Sequence, residues 1–363
     1  MQLRAFSATI PNLDGVVSPT VFFDSIKVKY ISLRNQGRYT TLPSASLYIH
    51  QINKAGKSFL GLVGCIDLRE YLGGKIIPHE KTITSLEDKQ IRLLNKTRAQ
   101  LKPVMLAHRK TSGLQPLLHE VVELNSHFLE VNFEELGEMH RYWQVPEGEL
   151  TERLLHLYRN EVPVAYVADG HHRLAANARL FQQTGQNEWV PAALYEEDQL
   201  RIFAFNRIVK IPKELSPIGF IARLSQFAEI TPLPKEQKPL KPGELTVFMQ
   251  GEWFRLTWKT SIANPQVHSR QLDVDRLNSL VLEGVLGISD IRSSKQVRYI
   301  EGVTPLSQLM QQVRWNKNMV LFCLPPIDLE TFFYISDQRQ TLPPKSTWFE
   351  PRIRSGVLVR ELN

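Results

Sequence analysis

The amino-acid sequence predicts an α+β protein, because segments with strand-like and helix-like patterns follow one another irregularly along the chain. A short apolar run at 164–168 leads into an Asp-Gly pair, and apolar residues then recur at helical spacing over 171–183. Two further runs, 46–51 and 59–68, are typical of strands and flank a turn that contains Gly56. This mixture predicts both sheet and helix within one protein.

The remaining elements are predicted from the same periodicities and from proline and glycine breaks. Helices are predicted at 84–101, 150–159, 272–286, 306–314 and 328–335. Strands are predicted at 104–108, 139–145, 190–195, 200–211, 319–324 and 357–359, with a hairpin at 244–258. We expect residues 1–60 to mix loops with strands and the proline-rich tract 232–243 to be a surface linker. On the strand at 200–211, Asn206 and Arg207 either point polar groups toward a substrate or lie on an exposed strand face, and the exposed face is the favoured interpretation.

Chain length and composition indicate a globular protein with two packed lobes. A chain of 363 residues exceeds a usual single hydrophobic core, and the predicted division gives a catalytic lobe over 1–215 and a second α+β lobe over 216–363. The two cysteines, Cys65 and Cys323, argue against a disulfide framework and indicate a reducing compartment. Neither a signal peptide nor an apolar run of membrane-spanning length is evident, so we expect a cytoplasmic protein with no membrane partner.

The net charge of +7 is compatible with nucleic acid, with anionic nucleotides or with no specific partner. The basic residues are scattered in short groups, such as 27–29 and 109–110, and form neither a stripe nor a recognition helix. The pattern argues against nucleic acid as a partner, and nucleotide binding accounts for the charge equally well. The sequence indicates no oligomeric state.

The most informative segment is the predicted strand–turn–helix unit that contains Asp169 and Gly170. Unpaired N–H groups at a helix start, together with the helix dipole, make such a corner a site for anions. His171, His172 and Arg173 lie in the first turn of the predicted helix, which indicates phosphate handling next to a carboxylate. Zinc binding by the histidines is the alternative, but adjacent helical residues do not face one another.

A second candidate segment surrounds Glu80, in 75–98. Pro78 forces an extended turn that places Glu80 just before Thr84, and Thr84 with Glu87 resembles a capping box at the start of a helix. A glutamate in this position is either a catalytic group or a solvated loop residue.

The third candidate segment lies near the C-terminus, where Lys345, Ser346 and Thr347 follow two prolines. An ammonium group and two hydroxyls are suitable donors to phosphate oxygens. The alternative is a proline-rich turn that leads to the last predicted strand.

Together these segments resemble a widespread bacterial family of uncharacterised proteins that is related to the ParB/sulfiredoxin superfamily. Within that superfamily the chain is similar to the free serine kinases, which phosphorylate L-serine with ADP or ATP. The resemblance covers nearly the whole chain and is carried by residues 61–65, 79–82, 168–173, 205–210, 272–274 and 344–351. The insertions between these segments are longer here.

The resemblance implies a ParB/sulfiredoxin-like core with a second, packed α+β lobe. It implies that Glu80 is the catalytic glutamate and that Asp169 is a catalytic aspartate, with phosphate contacts from 170–173. It also implies that 345–347 lie close to the nucleotide. The implied activity is a kinase that uses ATP or ADP to phosphorylate a small hydroxylated metabolite, with free L-serine as the leading candidate.

Phosphoryl transfer depends mainly on positioning and charge neutralisation, which suits these residues. We expect Asp169 to hold Mg²⁺ on the phosphates and Glu80 to accept the proton of the attacking hydroxyl. The helix N–H groups, His171, His172 and Arg173 are expected to neutralise the polyphosphate. No Walker A loop or protein-kinase glycine loop is present.

Two other functions remain open at this point. One is a ParB-like module in which CTP or ATP switches protein or DNA association, and the other is an inactive scaffold. After Gly185 the predicted elements return to strands, whereas ParB proteins continue with a helix-turn-helix domain. This difference favours the enzyme.

Overall fold

The structure, a computed structural model, describes residues 1–260, 272–291 and 294–362. Its helices are α1 (Pro19–Asp24), α2 (Ile26–Asn35), α3 (Leu68–Leu72), α4 (Thr84–Thr97), α5 (Leu114–Leu124), α6 (Glu149–Glu161), α7 (His171–Thr184), α8 (Pro217–Leu224), α9 (Asp273–Arg276), α10 (Leu306–Val313) and α11 (Leu329–Asp337). A π-helical segment, Leu277–Glu283, continues α9.

The strands complete a mixed α+β protein, as the sequence predicts. They are β1 (Leu3–Arg4), β2 (Thr9–Pro11), β3 (Tyr39–Thr41), β4 (Tyr48–Lys54), β5 (Lys57–Asp67), β6 (Ile76–Ile77), β7 (Ala99–Gln100), β8 (Val104–His108), β9 (Leu129–Phe133), β10 (Glu138–Gln144), β11 (Ala165–Asp169), β12 (Trp189–Glu196), β13 (Arg201–Phe203), β14 (Phe205–Lys210), β15 (Ala228–Leu233), β16 (Glu244–Met249), β17 (Glu252–Trp258), β18 (Val297–Glu301), β19 (Met319–Cys323), β20 (Trp348–Glu350) and β21 (Arg360–Glu361). None of the helices in the described ranges is long and apolar enough to cross a lipid bilayer.

The chain forms two compact units. Unit 1 contains Met1–Arg201, Arg339–Thr341 and the segment from Pro351 onward, and unit 2 contains Ile202–Gln338 and Leu342–Glu350. The sequence placed the division after residue 215, whereas in the structure β14 already hydrogen-bonds to β18 and β19 in the sheet of unit 2. The roles that the sequence assigns to the two lobes stay predictions.

Unit 1 is organised by a mixed nine-stranded sheet in the order β6-β11-β8-β12-β5-β4-β10-β9, with β1 paired to β5. Apolar side chains of the inner strands, such as Leu62 and Leu106, pack in one core with Leu154 of α6 and Leu174 of α7. The antiparallel pairing of β11 with β8 places Asp169 opposite Met105. The end of β11 therefore lies beside the start of β8, and this register positions the candidate site.

Unit 2 is built on an antiparallel six-stranded sheet in the order β15-β17-β16-β19-β14-β18. The expectation that Asn206 and Arg207 lie on an exposed face is wrong. Asn206 is 3% exposed to solvent and Arg207 is 1% exposed. The reason is that β14 is an inner strand between β19 and β18. The tract 232–243 lies wholly within unit 2, and its first two residues end β15.

The structure confirms the predicted strands at 104–108 and 139–145 and the hairpin at 244–258. Residues 1–60 were expected to lack helices, but α1 and α2 lie there. Ser18 caps α1 by accepting from the Val21 N–H at 3.3 Å.

Three predicted elements differ from the structure. The helix predicted to reach residue 101 ends at Thr97, because Arg98 adopts a left-handed conformation with φ +49° before β7. The strand predicted at 200–211 divides into β13 and β14 around Ala204. The strand predicted at 357–359 is replaced by a turn and a single bridge, and β21 follows it.

Candidate functional site

The structure confirms a strand–glycine–helix corner at the start of α7. Asp169 ends β11, Gly170 is the N-cap of α7 with φ +99°, and α7 begins at His171. Within the described residues no side chain caps this helix start, and its first turn holds no acidic residue. The N–H groups of the first turn and the helix dipole therefore favour an anion at this end.

Asp169 is the centre of a cation cluster, which we define as Lys102, Asp169, Arg173 and Arg352. Its Oδ2 lies 3.2 Å from Lys102 Nζ and 3.0 Å from an Arg173 guanidinium nitrogen, and its Oδ1 lies 3.1 Å from an Arg352 guanidinium nitrogen. Each of the four side chains keeps 16–23% of its exposure, so the cluster is reachable by a ligand.

The charges of this cluster do not cancel. Burial alone would raise the pKa of Asp169, but the three cations hold it well below its usual range, so the carboxyl is ionised. Burial lowers the pKa of Lys102 to about 8, with Asp169 opposing that shift. At neutral pH the cluster then carries three positive charges against one negative charge, which favours an anion beside it.

Only some of the N–H donors of the Arg173 side chain have hydrogen-bond acceptors among the described residues. Its terminal nitrogen donates to the Pro103 carbonyl at 3.2 Å as well as to Asp169, whereas its Nε is buried with no hydrogen-bond partner. The guanidinium covers Gly170 so closely that a Cβ at position 170 would lie 2.6 Å from it. Only glycine fits both this contact and the positive φ.

The segment that contains Glu80 lies against the start of α7. His79 Nδ1 is 3.2 Å from His171 Nε2, and the Ile83 N–H donates to His172 Nδ1 at 3.3 Å. Glu80 is half-buried in this segment. The structure thus brings two of the three predicted segments together within unit 1.

The two contacting imidazoles are neutral, which corrects one expectation. Burial lowers the pKa of His171 to about 4 and lowers that of His79 well below its usual value. His171 therefore supplies no charge to a polyphosphate at neutral pH. His171 contacts His79 of the segment that contains Glu80, and the cations beside Asp169 are Lys102, Arg173 and Arg352.

The predicted capping box is also wrong. The N-cap of α4 is Ile83, and Thr84 lies already inside the first turn, so its hydroxyl does not cap the helix. Glu87 instead accepts from the Thr82 hydroxyl at 2.6 Å and pairs with Arg179 of α7 at 3.0 Å. Glu87 therefore links α4 to α7 through its ion pair with Arg179.

The third predicted segment belongs to unit 2. Lys345 has φ +57°, and its Nζ lies 5.1 Å from the centre of the Phe205 ring. The Ser346 hydroxyl donates to the Pro343 carbonyl at 2.6 Å, and Thr347 follows in the same segment. Convergence of these residues with Glu80 and Asp169 on a single cleft stays a prediction.

Sequence reasoning missed Lys102 and Arg352. Lys102 precedes β8, and only the pairing of β8 with β11 shows that it meets Asp169. Arg352 lies five residues after Thr347, so the sequence offered it as a cation close to a suspected phosphate motif. The signal for Lys102 was its position before a strand that is buried along its whole length.

The donors around Asp169 do not fit Mg²⁺ as a direct ligand of this carboxylate. Mg²⁺ needs several oxygen ligands, and both oxygens of Asp169 are engaged by cations. Among the described residues, no group of three or more His, Cys, Asp or Glu side chains is arranged to hold a metal ion.

A mixed α+β protein with a cation cluster at a helix start is thus the class that the structure defines. The chain belongs to the family described as "Protein of unknown function (DUF1015)", which matches residues 18–275. A search of curated proteins gave no significant match.

Several solved structures are similar to this chain, including the following three. One is SbnI with a C-terminal truncation from Staphylococcus aureus, at 12% identity and TM-score 0.45, with 82% of this chain and 87% of that chain covered. Another is a free serine kinase mutant in complex with AMP, at 14% identity and TM-score 0.41, with 79% and 87% covered. The third is a conserved hypothetical protein from Pyrococcus furiosus, at 14% identity and TM-score 0.41, with 82% and 94% covered.

Proposed function

We propose that this protein is a nucleotide-dependent kinase with a ParB/sulfiredoxin-like catalytic core. ATP or ADP is the phosphate donor, a small hydroxylated metabolite is the acceptor, and free L-serine is the leading candidate. The observation that carries the proposal is the cation cluster around Asp169, which lies at the start of α7 where the segment containing Glu80 also packs.

The cation cluster suits the polyphosphate. Phosphoryl transfer requires donors placed where negative charge develops, and fixed cations meet this need without rearranging during the reaction. Lys102, Arg173 and Arg352 are held in place by Asp169, and the N–H groups of the first turn of α7 add further donors. Asp169 accordingly acts as a positioning carboxylate, and we assign no step to Mg²⁺ on this residue.

Glu80 is proposed as the general base. Its carboxylate accepts the proton of the acceptor hydroxyl as that oxygen attacks the terminal phosphorus, and the bond from this phosphorus to the nucleotide oxygen breaks. His79 supports this role, because its buried contact with His171 fixes the neighbouring residue against the start of α7. From unit 2, Lys345, Ser346 and Thr347 are proposed to contact the nucleotide, as the resemblance implies.

The decisive experiment incubates purified protein with Mg²⁺, ATP or ADP, and L-serine or other hydroxy amino acids, and detects phosphorylated product by mass spectrometry. Glu80→Gln should lower turnover by roughly 10²–10⁴-fold, the usual contribution of a general base, while nucleotide affinity measured by calorimetry changes little. The matched control is Glu149→Gln, since Glu149 retains 86% of its side-chain exposure on α6.

Two outcomes would contradict the proposal. Full activity in Glu80→Gln would show that Glu80 is not the general base. Tight nucleotide binding with no product from any acceptor would favour the alternative, a ParB-like switch in which ATP or CTP controls protein or DNA association.

A further inference from the structure

Unit 2 contains a cavity of about 330 Å³, which we call the unit 2 cavity. Three of the segments that carried the sequence resemblance line it: β14 through Arg207, the start of α9 through Asp273, and the C-terminal segment through Ser346. Two of these three segments have no role in the proposed kinase chemistry. A volume of this size is typical of a site for one small molecule.

Arg207 is a buried cation with unused donors. Its side chain is 1% exposed, and two of its nitrogens donate to the carbonyls of Phe205 at 2.8 Å and Lys345 at 3.4 Å. Its Nε is buried without a hydrogen-bond partner among the described residues. The Tyr299 ring, whose centre lies 5.4 Å from the guanidinium carbon, and the Asp275 carboxylate both favour the charged form of Arg207. Burial lowers its pKa to about 10, so the guanidinium remains charged at neutral pH.

A buried guanidinium that keeps an unsatisfied N–H donor is costly unless a ligand accepts that hydrogen bond. A second guanidinium lines the same cavity, since Arg276 also has a buried Nε with no hydrogen-bond partner. The acids in the wall are already engaged within the fold. Asp273 accepts from the Gly243 N–H at 3.0 Å and from the Trp258 indole at 2.8 Å, and Asp328 accepts from the Thr331 N–H at 2.7 Å.

The rest of the wall is apolar. Leu272, Leu324 and Ile327 line it together with prolines. An inorganic ion would leave this surface uncovered, whereas a ligand with an apolar body would bury it and gain roughly 25 cal/mol per Å².

We propose that the unit 2 cavity binds a small organic anion whose carboxylate or phosphate pairs with Arg207 and whose apolar body lies against Leu272, Leu324 and Ile327. This goes beyond the proposed kinase, because Lys102, Asp169, Arg173 and Glu80 have no part in it, although Ser346 of the cavity wall is also proposed to contact the nucleotide. Nucleotide in this cavity is the competing occupant, since Ser346 lines it and is tied to the nucleotide by resemblance.

The test uses the full chain and four probes: phenylacetate, phenyl phosphate, inorganic phosphate and benzyl alcohol. Calorimetry should show that phenylacetate or phenyl phosphate binds, and that benzyl alcohol does not. Inorganic phosphate should bind at least ten-fold more weakly than phenyl phosphate, because it buries no apolar surface. Failure of both aromatic anions to bind would overturn the proposal.

Arg207→Gln should weaken the binding of the aromatic anion at least ten-fold, because a charge-assisted pair is lost. The matched control is Arg223→Gln on the exposed surface of α8, which should bind the anion as the wild type does. If Arg207→Gln fails to fold by circular dichroism, Arg276→Gln replaces it and should weaken binding at least three-fold. Wild-type affinity in a folded Arg207→Gln or Arg276→Gln protein would overturn the proposal.

A competition experiment separates this site from the nucleotide site. ADP should not displace the aromatic anion, and Arg173→Ala should weaken ADP binding while leaving the anion bound as before. Displacement by ADP, together with loss of ADP affinity in Arg207→Gln, would assign the cavity to the nucleotide and overturn the proposal. These measurements involve no turnover, so an inactive kinase would leave their result unchanged.

Discussion

Lys102 is the member of the cation cluster whose charge depends on pH near neutrality. Burial lowers its pKa to about 8, so it is mostly protonated at pH 7 and mostly neutral at pH 9. A bound polyphosphate adds negative charge beside the ammonium and favours its protonated form. Nucleotide affinity should therefore fall as pH rises from 7 to 9, and binding at pH 8 should take up protons.

Calorimetry in two buffers of different ionisation enthalpy measures this proton uptake directly. Lys102→Gln is the control variant, since it keeps a polar side chain but cannot titrate, and it should show weaker binding without the pH step. An affinity for ADP that stays constant between pH 7 and 9 in the wild type would remove Lys102 from the phosphate site.

Substitution of Arg352 tests whether the cation cluster as a whole binds phosphate. Arg352→Gln leaves Asp169 paired with Lys102 and Arg173, so the fold should be retained. Loss of a charge-assisted contact costs about 1.5–3 kcal/mol, and ADP affinity should fall at least ten-fold by calorimetry. Arg153→Gln on α6, where the side chain is 47% exposed, is the matched control and should bind ADP normally.

Residue roles could be predicted from the sequence only where the partners are close along the chain. The Asp-Gly-His-His-Arg segment predicts a phosphate site at a strand–glycine–helix corner. The reason is that Asp169 and Arg173 are only four residues apart, at the start of one helix. Lys102 joins them through strand pairing, which composition does not reveal. The neutral state of His171 depends on burial against His79, a contact between segments distant in sequence.

At the scale of the element, the start of α7 depends on glycine at its N-cap. Gly170→Ala should do two things: strain a backbone with φ +99° and displace the Arg173 guanidinium, which lies 2.6 Å from the new Cβ. We expect a loss of about 1–3 kcal/mol in the free energy of unfolding and at least ten-fold weaker ADP binding.

The same helix offers a matched control. Gly185, the C-cap of α7, has φ +69°, but a Cβ there meets no atom of the described residues within 4 Å. Gly185→Ala should therefore lower stability by a similar amount, as urea denaturation would measure, and leave ADP affinity unchanged. Equal losses of ADP affinity in both variants would mean that helix strain alone, rather than Arg173, explains the effect.

Elements with a strong local pattern are predictable, and the others depend on tertiary partners. The break at Gly251 between two strand-like runs predicts the hairpin of β16 and β17 directly. For β14 the sequence indicates a strand but not its place in the sheet, so the burial of Arg207 follows only from the neighbouring β18 and β19. The helix α1 was missed although Ser18 and Pro19 form a start signal, because the helix is only six residues long.

At the scale of the molecule, neither of the two units is formed by one continuous stretch of the chain. The chain leaves unit 1 after Arg201 and returns to it at Arg339–Thr341 and again from Pro351. The last segment brings Arg352 to the cation cluster and pairs β21 with β7. Composition and periodicity do not predict that the C-terminal segment belongs to unit 1. Its position depends on packing against residues from the start of the chain.

Val359 anchors this returning segment in unit 1. It is fully buried, its backbone exchanges two hydrogen bonds with Thr9, at 2.8 and 3.0 Å, and its side chain packs in one cluster with Ile26, Tyr39 and Leu101. Val359→Ala removes two methylene-sized groups from this cluster and leaves a cavity, so the free energy of unfolding of unit 1 should fall by about 2 kcal/mol.

Hydrogen exchange measured peptide by peptide locates the effect of Val359→Ala. Exchange should accelerate in β2 and β3, which pack beside Val359, and stay unchanged in β16 and β19, because those strands belong to the sheet of unit 2. The control is Val17→Ala, since Val17 is 99% exposed and should change stability by less than about 0.5 kcal/mol. Equal acceleration in β16 and β19 would show that the two units unfold as one, and that the returning segment stabilises the whole chain rather than unit 1 alone.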